Sequence, residues 1–137
     1  SHFAAAHWRL GEALTLQGKY TEALAEYQQA IELGSFEPYV LGGVAFAQAK
    51  SGNREAALKI VKDLEERSKK EYVPQWAIAA AYAGLGDTKS GIASLNKGID
   101  AKDLYIPENF FEPLLEPLRR DPAFGAVTAR MWLESKQ

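Results

Sequence analysis

Few side chains in this 137-residue chain are of a type that does chemistry, and their spacing argues against it. There is no cysteine, which removes disulfides, zinc–thiolate sites and thiol nucleophiles at once. The two histidines, His2 and His7, stand five apart, whereas one helical face brings together residues three or four apart. No metal or histidine-dependent nucleophile site is expected from them, and His7 reads as an edge residue of a first helix. The carboxylate pairs Asp63 with Glu66 and Glu65 with Glu66 lie among Lys62, Arg67 and Lys69. Charge pairing along a helix accounts for them better than an acid working with its base. Neither GxxxxGK nor GxGxxG is present to cradle a phosphate. With no acid, base and nucleophile to assemble, an enzyme is not expected, and neither is a cofactor.

Charge and hydropathy narrow the partners. The formal net charge is −2 with acids and bases interleaved, so no broad positive surface is expected for nucleic acid or an anionic membrane. The densest basic run, Arg67 to Lys70, meets Glu71 immediately and reads as a solvated helix C-terminus complementing the helix dipole. A composition of 47% hydrophobic and 25% charged residues fits a soluble globular domain with a core. The most apolar window, Trp76 to Leu85, is about half the ~20 residues that a membrane span needs. The first residues lack the order of a signal peptide. A cytoplasmic setting is therefore expected, with 1–3 as a flank in which Ser1 and His2 read as a remnant of tag removal on a piece of a longer protein.

Whatever the chain does depends on the elements beneath these residues, and those keep a strict beat. Gly18, Gly52 and Gly86 follow one another at 34 residues, and the same step carries Gly11 to Ala45 and Ala79, and Leu24 to Leu58 and Ile92. A period of that length, built from small and large apolar residues at fixed offsets, is the signature of stacked helical hairpins. The apolar spacing predicts helices at about 4–17 and 20–33, with Gly18 reversing the chain between them. Pro38 opens a second pair, where its missing N–H costs nothing, and a third pair starts near Pro74 and turns at Gly86. Gly91 and Gly98 inside the last helix of that pair cost about 1 kcal/mol each relative to alanine. A close approach of a neighbouring helix is the expected compensation.

After Ala101 the beat stops. Pro107, Pro113, Pro117 and Pro122 restrict helix, leaving one short helix or two turns between about 108 and 119 that present Phe110, Phe111, Leu114, Leu115 and Leu118. A better helix follows, with Asp121 as its cap and Pro122 in its first position, bearing Phe124, Val127, Thr128 and Met131 at helical spacing. An open solenoid needs its apolar end covered, and this tail is the natural cover.

At Trp8, Leu10-Gly11, Leu14, Gly18, Tyr20, Ala23, Tyr27 and Ala30 the chain resembles the tetratricopeptide repeat family. Ala45, Gly52 and Ala57, then Ala79, Tyr82 and Gly86, continue the resemblance, although the closing proline of the pattern is missing. The resemblance implies an all-α, right-handed solenoid of three helical hairpins at 4–37, 38–71 and 72–103, with a capping tail at 104–137. The run Leu115 to Leu133, with Tyr72 to Asp87, also looks like the C-terminal end of repeat arrays in bacterial signalling proteins, where repeats follow a winged-helix, cyclase or kinase domain.

In that family the first helix of each hairpin lines a concave groove. Carried over position by position, the groove receives Trp8 and Glu12 from the first hairpin, Tyr39, Gly42, Phe46 and Lys50 from the second, and Trp76, Ala80 and Gly84 from the third. Aromatics separated by alanine and glycine imply pockets, and exposed aromatics dominate binding hot spots. The family's clamp for acidic chaperone tails needs Lys and Asn where this chain has Trp8, Glu12, Gly43, Val73 and Ala77, so that ligand is not expected. The leading expectation is a non-catalytic scaffold that holds an apolar or amphipathic protein segment, anchored by Trp8, Tyr39, Phe46 and Trp76 with Glu12 and Lys50 setting polarity. Other readings stand beside it: a homodimer or intramolecular regulatory tail with no foreign ligand, a groove filled by the tail or by a crystal or dimer mate, or Trp8 and Trp76 simply as core.

Overall fold

The structure, a computed structural model, describes residues 2–103 and 112–135. Three helical hairpins follow one another: α1 (His2–Leu16) with α2 (Tyr20–Glu32), α3 (Glu37–Lys50) with α4 (Arg54–Arg67), and α5 (Gln75–Leu85) with α6 (Thr88–Asp100). The turns within them lie where the beat puts them. Gly18, Gly52 and Gly86 adopt φ of +78°, +96° and +76°, a left-handed conformation that glycine takes without a Cβ clash. The Asn53 and Asp87 side chains then accept the amides of Ala56 and Ser90 at 3.2 and 3.1 Å, capping the helices that return. Helix α5 starts differently. Pro74 precedes it and offers no capping side chain, so Asp103, beyond α6, accepts the Gln75 amide at 3.1 Å and the Tyr72 hydroxyl at 2.7 Å.

The hairpins stack in a row, which makes the chain an all-helical solenoid with α1, α3 and α5 on one side and α2, α4 and α6 behind them. Small residues set the spacing. A methyl at Gly42 would lie 2.7 Å from the Ala77 carbonyl oxygen, and one at Gly84 would lie 2.5 Å from the Phe46 Cα. The α3 and α5 backbones therefore touch in a way no other residue allows. In the first hairpin the Tyr27 ring occupies the space left by Gly11 and Gly43, where added methyls would come within 2.6 and 2.7 Å of it. The Tyr27 hydroxyl bonds Thr15 Oγ1 at 3.1 Å, and Thr15 in turn donates to the Gly11 carbonyl at 2.8 Å. Tyr27, Leu64, Ile78 and Leu95 are buried completely or nearly so, each contributing roughly 1.5–3 kcal/mol of transfer free energy.

Beyond the hairpins, Pro113–Leu115 forms a 3-10 turn that runs into α7 (Glu116–Arg119), followed by α8 (Ala123–Ser135). Asp121 caps α8 by accepting the Ala123 amide at 2.8 Å. Phe124 and Val127 are buried, Met131 is partly so, and Arg130 ties α8 to Asn96 and Asp100 of α6. Thr128, expected on the buried stripe, is exposed and turns its hydroxyl to the Phe124 carbonyl. Of the first tail helix, 108–111 with Phe110 and Phe111 lie outside the described residues. Gly91 makes room for a side chain rather than a helix backbone: a methyl there would lie 2.7 Å from Leu118. The tail also does more than close the end of the stack, because its 3-10 turn packs against both α1 and α5.

Candidate functional site

One ring from each hairpin meets at a single point. Trp8 of α1 stacks on Tyr39 of α3 with centroids 5.8 Å apart and planes at 15°. Trp76 of α5 lies 5.3 Å from Tyr39 and 6.2 Å from Trp8. Phe36 and Tyr72, in the connections ahead of α3 and α5, extend the cluster outward, Phe36 lying 5.2 Å from Tyr39 and 6.4 Å from Tyr72. Phe36 is 45% and Tyr72 47% exposed, so the cluster runs from a buried floor to an open rim. Aromatic pairs at such separations add about 0.5–1.5 kcal/mol beyond their burial.

The six residues singled out from the sequence separate into three groups. Trp8, Tyr39 and Trp76 come together, but Trp76 is only 1% exposed, in one apolar cluster with Leu114, Leu115 and Leu118. Its indole Nε1 has no hydrogen-bond partner among the described residues. Phe46 is 6% exposed beneath the Gly84 backbone, and Lys50 sits outside it with Nζ 5.9 Å from the ring. Gly42 and Gly84, expected to leave pockets, instead form the contact between α3 and α5. The physical reason is that a missing side chain on a helix is filled by whichever neighbour comes nearest, and here that neighbour is another helix.

Glu12 is the third group, and its surroundings were not legible in the sequence. It is 4% exposed, and Arg9 Nη1 donates to its Oε1 at 2.8 Å. The same nitrogen lies 3.5 Å from Oε2 of Glu112, a tail residue that is 5% exposed. Arg9 is also held over the Trp8 ring at 4.5 Å, a cation–π contact of roughly 0.5–1 kcal/mol. Burial, then the adjacent Glu12 carboxyl, push the Glu112 carboxyl up to about 8, outweighing Arg9. One half-exposed cation does not neutralise two buried anions. In the sequence Arg9 falls off the apolar stripe of the first helix. Its only local signal was the three-residue spacing to Glu12.

Elsewhere the charged groups pair off along and between helices. Asp63 faces Arg67, Glu66 faces Lys69, Glu65 accepts the Tyr82 hydroxyl, and His7 bonds Glu26. Among the described residues there is no group of three or more side chains fit to hold a metal, and no helix is long and apolar enough to cross a membrane.

A row of helical hairpins that meet through their first helices is a helical-repeat protein. The family model of the tetratricopeptide repeat matches residues 4–34, and the second and third hairpins follow the first at the same step. That match supports a protein–protein interaction module. No curated protein and no solved structure gives a significant match to the chain.

Proposed function

We propose that this domain is a protein-interaction module whose α1–α3–α5 side takes up an apolar, leucine-bearing segment, and that residues 112–118 are the occupant it carries at rest. One observation supports the reading above the others. Leu114, Leu115 and Leu118 are 1%, 0% and 0% exposed, clustered with the floor formed by Trp76, Ala77 and Ala80. An incoming segment would displace them and meet that floor with Phe46 beneath, Trp8 and Tyr39 as a wall, and Glu12 and Lys50 at either side. A tethered occupant competes at an effective concentration on the order of millimolar, so the resting domain binds such segments weakly.

A fluorescein-labelled peptide of the sequence Glu112 to Arg120 tests this by anisotropy. It should bind the Leu115→Ala chain at least tenfold more tightly than the unmodified chain. Failure to bind a Leu115→Ala chain of unchanged helicity would make the tail a permanent wall of the fold and end the proposal. Self-association is the second reading. Trp132 and Leu133, adjacent on α8 and 62% and 63% exposed, favour it. Sedimentation velocity should then show a concentration-dependent dimer that Trp132→Ala abolishes.

A further inference from the structure

Glu12 and Glu112 come from elements a hundred residues apart and meet out of water. Their side chains are 5% and 3% exposed, while Arg9, which touches both, is 59% exposed. Glu12 Oε2 and Glu112 Oε1 are buried and accept no hydrogen bond among the described residues. Two ionised carboxylates in that arrangement would leave two buried acceptors empty and one negative charge uncompensated, a costly state. A single proton shared by the two carboxyls, which approach the same Arg9 nitrogen at 2.8 and 3.5 Å, removes both defects.

We propose that Arg9, Glu12 and Glu112 form a proton-dependent latch that fastens the tail across α1, and that loss of the shared proton loosens residues 112–118 from the aromatic floor. Among the described residues, little in the surroundings would blunt the effect. Helix α1 brings the charged Arg9 and Glu12, and the α5 residues clustered with the leucines of the turn, Trp76, Ala77 and Ala80, are uncharged. Helix α7 brings Arg119, which donates to the Glu112 backbone carbonyl at 3.2 Å and is paired with Glu116. Tyr27 of α2 faces the carboxyls with a hydroxyl whose proton burial retains. The latch requires the turn to leave α1, and its functional consequence rests on the reading of the tail as a displaceable occupant.

The sign follows from proton linkage. A carboxyl whose folded value is raised from 4.5 to about 8 binds a proton in the closed state that the open state has released, so closure weakens as pH rises between those values. Below that window closure is at its strongest, and above it the dependence levels off.

Hydrogen exchange at the Leu115 amide reads the opening, because that N–H donates to the Glu112 carbonyl at 2.9 Å. Corrected for intrinsic exchange, the opening constant of the unmodified chain should climb by up to about tenfold per pH unit through the window. Glu112→Gln, which places a permanent donor against Glu12, should abolish the slope and hold the tail closed at pH 8.5. Should Glu112→Gln not fold, Glu12→Gln is expected to flatten the profile likewise. A flat profile in the unmodified chain, or an unchanged slope in either variant, overturns the latch. The labelled tail peptide with Gln in place of its first Glu separates the two proposals. Binding that strengthens with pH supports both, whereas a sloping exchange profile with no peptide uptake upholds the latch and sinks the displaceable occupant.

Discussion

The α3–α5 junction and the α1–α3 junction hold equivalent places in the repeat, yet only the first is closed by backbone. In α3–α5, Gly42 lies against Ala77 and Gly84 against Phe46. One repeat earlier the positions of Gly42 and Gly84 carry Trp8 and Lys50, and those of Ala77 and Phe46 carry Gly43 and Glu12. An indole and a long cation cannot lie where a hydrogen lies, so α1 stands away from α3. The space is taken by other means: the Tyr27 ring against Gly43, the Trp8–Tyr39 stack, and the tail turn with Glu112 beside Glu12. The 34-residue beat thus specifies hairpins and their order, while the identity of two residues per junction decides whether neighbouring hairpins close on each other or admit a third party.

That contrast can be broken at several points. The largest effect should come from Trp76→Ala, which removes the floor shared by α5 and the tail. It is expected to cost about 3–5 kcal/mol in urea unfolding, and a loss under 1 kcal/mol would mean that the tail does not depend on the floor. Leu115→Ala should cost about 2–5 kcal/mol by the same measurement, and an unaffected midpoint would show the open junction to be stable without its occupant. Gly84→Ala forces the α3 and α5 backbones apart and should cost about 1–3 kcal/mol. Its counterpart one repeat earlier, Lys50→Ala, should stay within about 0.5 kcal/mol. Equal effects at the two positions would erase the distinction between the junctions. Tyr27→Phe should fall between those two, about 1 kcal/mol for the hydrogen bond to Thr15, with a thermal melt as the measure.

How far the sequence could be read depended on how local the information was. Each hairpin is written within its own 34 residues: glycine turns at Gly18, Gly52 and Gly86, and caps at Asn53 and Asp87. The helix boundaries accordingly came within a residue or two. The rings Trp8 and Trp76 were legible together because both fall at the place that Gly42 takes in the second repeat, and Tyr39 lies about one helical turn before that place. Their cover was not. Nothing within the reach of periodicity relates Glu112 to Arg9 and Glu12, and a leucine-rich turn among prolines looks the same whether it caps an end or lies across a face. Glycine was ambiguous for a related reason. At Gly42 and Gly84 the residue type announces a close approach without saying what approaches, and backbone took the room that a ligand had been expected to use.

The Asp103 side chain bears on the order of assembly. The returning helices of hairpins two and three have caps available as soon as their own turns form, but the first amide of α5 finds its partner 28 residues downstream. A nascent chain that has produced α5 alone carries an apolar helix, Trp76 to Leu85, with a loose leading end and no lid. Only when Asp103 has emerged does the third hairpin become self-sufficient, and only after Leu118 has followed is its inner side shielded. The third hairpin is therefore the last to consolidate during synthesis and the first segment in need of protection from aggregation.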